Sequence, residues 1–474
     1  MKLFFALRTT TLMTTLLLAG CVSYSGINSH SSQIATSQLG MTTTDIHWPS
    51  STAWDELHDP VLSELMREAL ENNPNIKLAQ ARLDKVAALT RAVDANRLPE
   101  ASINASVTPE HFTENYIYPP PFAGHVYSTN LLMVNAKYEF DFWGKNRAAL
   151  DAALSREKAA NAEIQSAQLI IETSVAKSYF TLARSLEQKK IRELTLAQRE
   201  ELVNVTLQRQ AVGLDTQQDM QLSRGGLPAI RTEIIQFDEQ IALARNALAA
   251  LIGKGPEATQ NTVASLPAQV NSNVPDSIPA QLIGRRADIY AARARVEAAS
   301  KQIDVTKTEF YPNINLTAFA GFSSLGFTHW IDGSSRDYGV GPAISLPIFD
   351  GGRLRADLSS KNAEYDMAVE SYNQTLIEAV HDVADQISSL RSLAQLQKQH
   401  DELQRNAASI YEIAQQREQA GLVSRVTVLN AQTAVLAQQS IDIDLKTRAV
   451  DLTINLVRAL GGGFNDQAGA SKFN

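Results

Sequence analysis

The feature that most constrains this 474-residue chain is an ordered set of landmarks that occurs twice. Asn75-Ile76 and Ala81-Arg82 reappear as Asp288-Ile289 and Ala294-Arg295, 213 positions later. Pro99, in Leu98-Pro99-Glu100-Ala101-Ser102-Ile103-Asn104, reappears at the same offset of 213 as Pro312, in Tyr311-Pro312-Asn313-Ile314-Asn315-Leu316. Phe142-Trp143-Gly144-Lys145-Asn146-Arg147 matches Phe349-Asp350-Gly351-Gly352-Arg353 at 207, and Val212-Gly213-Leu214 matches Ala420-Gly421-Leu422 at 208. Leu251-Ile252-Gly253 is echoed by Leu460-Gly461 at nearly that offset. Such ordered agreement identifies an internal repeat. One copy covers residues 54–253 and the other 280–463, with a linker over 254–279 and a tail over 464–474.

Each copy carries two segments of strand periodicity. Over 130–142, Leu132, Val134, Ala136, Tyr138, Phe140 and Phe142 share one face, and Asn135, Lys137, Glu139 and Asp141 share the other. Residues 101–108, 313–322 and 338–348 alternate similarly, with Ile103 and Val107, Ile314 and Leu316, and Val340 and Ile344 on their apolar faces. About ten residues of apolar-out, polar-in alternation fit a transmembrane β-strand. Aromatics gather near the ends of these segments: Tyr116, Tyr118, Phe122, Tyr127, Phe327 and Trp330.

The remaining sequence is helical. From Lys145 to Val212, and again from Arg353 to Ala420, there is neither Gly nor Pro. At 1.5 Å per residue each run reaches roughly 100 Å. Tyr365, Val369, Tyr372, Leu376, Val380, Val383, Ile387, Leu390 and Ala394 trace a coiled-coil-like seam. Each run ends at a Gly-Leu turn followed by a shorter helical return, so each copy predicts one helical hairpin. Arg224-Gly225-Gly226-Leu227-Pro228 interrupts the first return and predicts a kink or break there.

The only cysteine is Cys21, which excludes an internal disulfide and a cysteine-based metal site. Residues 1–20 begin with Lys2 and Arg8 and continue through Leu12, Met13, Leu16, Leu17, Leu18, Ala19 and Gly20, the pattern of a secretory signal. Leu18-Ala19-Gly20-Cys21 resembles a bacterial lipobox, in which Cys21 becomes an acylated N-terminus. Several acyl chains give stable membrane anchoring. Val22, in place of an Asp, is compatible with export to the outer membrane. Residues 21–53, rich in Ser and Thr, read as a lipidated end and flexible tether. The net charge of −8, without basic clusters, argues against nucleic acid as a partner.

Four strands cannot close a barrel, and open edges are not tolerated in a bilayer. The strands of several copies must therefore join. Eight strands leave an interior filled by side chains, whereas the twelve of a trimer leave a lumen. The expected fold is mixed α and β, mainly α: a trimeric outer-membrane β-barrel of four strands per protomer, continued by a long periplasmic α-helical barrel.

With these residues in place, the chain resembles the TolC/OprM-type outer-membrane factors, most closely their NodT-like lipoprotein branch. The resemblance rests on Phe140-Asp141-Phe142-Trp143-Gly144-Lys145-Asn146-Arg147, on Leu346-Pro347-Ile348-Phe349-Asp350-Gly351-Gly352-Arg353, on Phe310-Tyr311-Pro312 and on Arg285-Arg286-Ala287-Asp288-Ile289. It covers about residues 54–464. It implies a homotrimeric duct in outer-membrane lipid that meets a periplasmic adaptor and an inner-membrane pump of RND, MFS or ABC type, and that exports drugs or other small toxic compounds. Ala287 stands where the family often has Pro. The family's aspartate ring after the second Gly turn corresponds to neutral Thr427 and Asn430. The first turn instead carries Asp215 and Asp219, which are either a cation-attracting constriction or, for Asp215, a helix cap. Val212, Gly213, Leu214, Ala420, Gly421 and Leu422 are the expected adaptor-docking turns. No HExxH, GxSxG or GxxxxGK motif is present, and His58, His111, His125, His329 and His381 are scattered, so neither catalysis nor a cofactor is expected. A periplasm-spanning scaffold without conductance is the alternative function.

Overall fold

The computed structural model describes residues 23–41, 59–267 and 282–464. The signal segment, Cys21 and His58 lie outside the described residues. The first copy runs α1 (Pro60–Asn72), α2 (Pro74–Ala95), β1 (Glu100–His111), β2 (Val126–Glu139), α3 (Lys145–Ala211) and α4 (Gln217–Leu251). The second runs α5 (Ala287–Thr308), β3 (Asn313–Leu325), β4 (Arg336–Ser345), α6 (Arg353–Gln419) and α7 (Arg425–Ala459). Matching helices are equal in length: α2 and α5 have 22 residues, α3 and α6 have 67, and α4 and α7 have 35. The chain divides into two compact units, one of Met1–Gln33, Leu83–Ala160 and Ala292–Tyr372, the other of Ile34–Arg82, Asn161–Ala291 and Asn373–Asn474.

The first unit holds the sheet. Its order is β1-β2-β3-β4, antiparallel throughout, so β2 and β3 join the two copies and β1 and β4 are edges. One row across the sheet reads Ile103, Val134, Ala320, Tyr338. A row on the opposite face reads Ser102, Asn135, Phe319, Gly339. Two strands stop short of the expected ends. β2 ends at Glu139, not at residue 142, because the Asp141 carboxylate turns to accept hydrogen bonds from the Asn146 and Arg147 amides at the start of α3. β4 ends at Ser345, not at residue 348. Pro347 offers no N–H donor, and Asp350 accepts from the Gly352 and Leu354 amides.

The second unit holds an extended apolar core. Leu62, Leu65, Met66 and Ala69 of α1 recur at helical spacing and pack with Val175, Tyr179 and Phe180 of α3, Leu248 of α4, and Val450 and Ile454 of α7. Burying a Leu or Phe side chain contributes about 1.5–3 kcal/mol. Asp59 fixes the entry to α1. One carboxylate oxygen accepts from the Val61 and Leu62 amides, and the other accepts from the buried Tyr179 hydroxyl at 2.5 Å. Arg286, only 11% exposed, pairs with Asp288 at 2.6 Å and donates to the Ala459 carbonyl at 3.1 Å. That contact ties the start of α5 to the end of α7. Gly461, at φ +91°, is required just beyond: a Cβ there would lie 1.9 Å from the Arg285 carbonyl oxygen.

Three expectations are corrected. α4 continues through Gly225, Gly226 and Pro228 without a break. Pro228 and Arg224, whose carbonyl the proline leaves unbonded, are both exposed, so that carbonyl can be hydrated. Residues 23–34 are an ordered strap, in contrast to the flexible tether that their composition suggests. The Tyr24 ring packs edge-on against Phe310 at 5.4 Å, and the Arg355 guanidinium donates to the Ser23 and Ser25 carbonyls. Asp366 accepts from the His30 and Ser31 amides at 3.0 and 2.9 Å, and Asn373 accepts from the Ile34 amide at 2.9 Å. Finally, the α6 seam buries Val369, Tyr372, Leu376, Val380, Val383, Ile387 and Leu390, but then Leu393 in place of the exposed Ala394. The seven-residue spacing that runs from Tyr372 through Ala379 lands on Leu393.

Candidate functional site

One turn joins the two helices of each hairpin. At the first, the Gly213 amide donates to the Gln210 carbonyl and the Leu214 amide to the Arg209 carbonyl, both at 2.9 Å. At the second, Gly421 donates to Glu418 and Leu422 to Arg417, both at 2.8 Å. This paired closure needs a left-handed residue after the helix, and Gly213 and Gly421 supply it at φ +77° and +71°. The apolar residues of both turns stay outside: Val212 is 71% exposed, Leu214 65% and Leu422 68%. Ala420 is exposed as well. Apolar side chains held outward on rigid turns can meet a partner's apolar surface.

The acids of the first turn are engaged locally. Asp215 forms a two-pronged pair with Arg209, both bonds at 2.9 Å. Thr216, and not Asp215, caps α4. Its hydroxyl accepts from the Asp219 amide at 3.1 Å, while the Asp219 carboxylate accepts from the Thr216 amide at 2.8 Å. The hydrogen bonds from the Thr216 hydroxyl and amide hold the Asp219 carboxyl below its ordinary range. The spacing Thr216-x-x-Asp219 is a capping box with Asp in the Glu position, a signal that the sequence carried but that the charge-based reading passed over.

The second turn is built differently. Ser424 caps α7 with no side-chain hydrogen bond, and its hydroxyl lies 3.4 Å from that of Thr427. Thr427 and Asn430 are exposed. Arg425, unremarked in the sequence, bridges Glu201 of α3 at 2.7 Å and Glu418 of α6 at 3.3 Å. A polar ladder continues between α3 and α7. Gln188, 1% exposed, donates to the Ser440 carbonyl and accepts from the Ser440 hydroxyl, and Arg184 pairs with Asp444 at 2.7 Å. Gln198, 3% exposed, donates to the Leu429 carbonyl.

In the first unit, the sheet exposes Ile103, Val107, Val134, Tyr338, Val340 and Ile344 on a single face. At the end of the β2–β3 seam, the Trp143 ring stacks on Tyr311 at 4.8 Å and its indole N–H donates to the Pro312 carbonyl at 2.8 Å. No helix among the described residues is long and apolar enough to cross a membrane. Among those residues, no cluster of His, Cys, Asp or Glu is arranged to hold a metal ion.

Two hairpins and a two-faced sheet are an arrangement shared with known proteins. The family described as outer membrane efflux protein matches residues 65–254 and 278–462. The chain belongs to the outer membrane efflux protein family. It is 30% identical to the multidrug resistance outer membrane protein MdtP of Escherichia coli over 472 residues, covering 96% of this chain and 95% of that protein. It is 32% identical to the fusaric acid resistance protein FusA of Burkholderia cepacia, covering 74% of this chain and 68% of that protein. The solved structure of the outer membrane protein VceC of Vibrio cholerae superposes with a TM-score of 0.81 at 36% identity, over 88% of this chain and 100% of that one. Members of this family are outer-membrane efflux channels and not enzymes. Efflux at the outer membrane is accordingly this chain's class of function.

Proposed function

We propose that three copies of this chain join their sheets into one outer-membrane barrel, and that the helical hairpins continue the barrel as a periplasmic duct. The observation that carries the reading is the four-stranded sheet with one exposed apolar face and two open edges, β1 and β4. Such edges are stable in lipid only when paired. Acylation at Cys21 anchors each copy in the same membrane. The exposed Val212, Leu214 and Leu422 meet a periplasmic adaptor, which couples the duct to an inner-membrane pump of RND, MFS or ABC type. The cargo is drugs or other small toxic compounds, in keeping with the resistance roles in the names of MdtP and FusA.

The narrowest point of the duct is assigned to the turns. Arg209 already balances Asp215, so the exposed Asp219 is the carboxylate best placed to meet a passing cation. Thr427 and Asn430 contribute neutral polar groups. Blocking of conductance by divalent cations should weaken in Asp219→Asn, and unchanged block would remove Asp219 from the constriction.

Drug accumulation tests the whole reading. A strain lacking the chain should retain a fluorescent efflux substrate, and the native chain should restore its loss. The pair Leu214→Asp and Leu422→Asp should restore it poorly and lose crosslinking to the adaptor. Full rescue by that double variant would overturn the docking assignment.

A further inference from the structure

Each copy of the repeat has a groove at the foot of its strand pair, where one helix enters the first strand and another leaves the second. In the second copy the chain's own strap fills it. The Tyr24 ring packs on Phe310, and the Tyr24 and Tyr311 hydroxyls are 3.2 Å apart. The Arg355 guanidinium donates to the Ser23 and Ser25 carbonyls, the latter at 3.3 Å. The matched helices give the counterparts in the first copy. α2 and α5 are offset by 213, as are Pro99 and Pro312, and α3 and α6 are offset by 208. Phe310 and Tyr311 then correspond to Arg97 and Leu98, and Arg355 to Arg147. All three line one open groove of about 750 Å³. The strap is a single segment, so it fills one groove and leaves the other open.

The open groove has different chemistry. Asp366, which accepts from two strap amides, corresponds to Lys158, a donor like the amides themselves. A second strap would therefore lose its hold there. The acids of the groove are engaged: Asp94 pairs with Arg97 at 2.9 Å, Asp141 accepts from main-chain amides, and Glu139 accepts from Asn313 at 3.0 Å. Arg147 donates its amide to Asp141, but its guanidinium has no acceptor among the described residues. Such a guanidinium matches a phosphodiester, whose two free oxygens take a forked pair of hydrogen bonds. Beside it lies apolar surface. Leu98 is 67% exposed and Phe142 66%. The rings of Tyr138, Phe140 and Phe142 follow one another at 5.2 and 5.7 Å, continuing the exposed apolar face of the sheet to its end. Aromatic rings at the end of an apolar band mark the boundary between hydrocarbon and water.

We propose that this groove holds a phospholipid of the periplasmic leaflet, with its phosphodiester on Arg147 and an acyl chain along Leu98 and Phe142. The site is the counterpart of the strap's own seat, and the strap's Ser23 follows Cys21 by two residues in the sequence. One copy of the repeat thus receives the segment that leads to the proposed acyl anchor, and the other receives a free lipid in the matching place. The level of the groove at the membrane surface rests on the barrel reading proposed above.

Native mass spectrometry of the full-length assembly, purified in mild detergent and titrated with phosphatidylethanolamine, tests the site. One phospholipid per chain should stay bound under activation that strips all others. Arg147→Gln should weaken that retention about 10-fold, the worth of a hydrogen bond to a charged group. Leu98→Ser, at an exposed position, should weaken it too, and decides the matter where Arg147→Gln fails to assemble. Arg355→Gln makes the same change in the filled groove and should not weaken retention. A phospholipid with a photoreactive acyl chain should label Leu98 and Phe142 and spare Phe310 and Tyr311. Equal weakening by Arg147→Gln and Arg355→Gln, or equal labelling of both grooves, would overturn the assignment. Inorganic phosphate competing as well as the lipid would overturn it in favour of a free anion, and a peptide retained in place of lipid would overturn it in favour of a protein partner. A multi-copy mass with no retained phospholipid would remove the site and leave the duct reading standing. A single-chain mass that still carries the phospholipid would do the reverse.

Discussion

Replacing Gly421 separates the backbone chemistry of the hairpin turns from any docking role. Gly421 sits at φ +71°, and nothing lies within 4 Å of the point a Cβ would occupy. An alanine methyl group there meets open space, so its cost is the left-handed backbone alone, about 1–2 kcal/mol. Asparagine tolerates that conformation better, and Gly421→Asn should recover most of the loss. Gly461 is the contrast. There a Cβ would lie 1.9 Å from a main-chain oxygen, so Gly461→Ala adds overpacking of roughly 1–3 kcal/mol or more to the strain. Amide hydrogen exchange on the native assembly reads the difference. The Leu422 amide closes the turn on the Arg417 carbonyl at 2.8 Å. A loss of 1–2 kcal/mol corresponds to roughly 5- to 30-fold faster exchange there. Gly421→Ala should show that acceleration locally, Gly421→Asn much less, and Gly461→Ala should disturb the core around Arg286. The reasoning is refuted if Gly421→Ala proves as disruptive as Gly461→Ala, or if Asn is no better than Ala. Should Gly421→Asn keep the turn but lose adaptor crosslinking, the bare glycine surface is itself part of the docking site.

Three further outcomes follow from local geometry. Asp219 has its carboxyl held below the ordinary range by Thr216. Its contribution is therefore present above the ordinary carboxyl pKa of about 4 and is lost as pH falls through the lower folded value. A spin label beside the first turn should loosen in acid, and Asp219→Asn should reduce that response. Pro228→Ala restores a helix donor in the interior of α4. It should slow hydrogen exchange around residue 224 with a local gain of up to about 3 kcal/mol, whereas a helix that truly broke there would gain nothing. Asp366→Ala removes the acceptor of the His30 and Ser31 amides and should make the strap cleavable by protease while the helices remain resistant. Continued protection of the strap would mean that its other contacts suffice.

Much of the architecture was legible because it is periodic. The long helices α3 and α6 start at Lys145 and Arg353 and end within a residue or two of Val212 and Ala420, since nothing but Gly or Pro would interrupt them. The strands are visible as alternation. β2 and β4 stop short where Asp141 and Asp350 turn back to cap the next helix, while β1 and β3 run on to His111 and Leu325, and β2 and β4 begin earlier, at Val126 and Arg336. Non-local features were not legible. The strap looks like a polar linker in sequence because its partners, Arg355, Asp366 and Asn373, lie more than 300 residues away. α5 buries five alanines, Ala287, Ala291, Ala292, Ala294 and Ala298, among Ile289, Val296, Ile303 and Val305, and the alanines make the apolar stripe faint. The acids at the first turn were read by charge, while the geometry uses Asp219 in a cap and pairs Asp215 with Arg209. The bridge from Arg425 to Glu201 joins helices from different copies of the repeat, which no local pattern announces.

Conductance is the most direct measurement of whether this chain forms a duct. Purified full-length assembly, shown by mass to contain several copies, would be reconstituted in a planar bilayer. The account requires discrete conductance steps, with block by divalent cations that weakens in Asp219→Asn. An assembly that is intact and inserted yet electrically silent under all applied voltages would contradict it, and would leave a periplasm-spanning scaffold in its place.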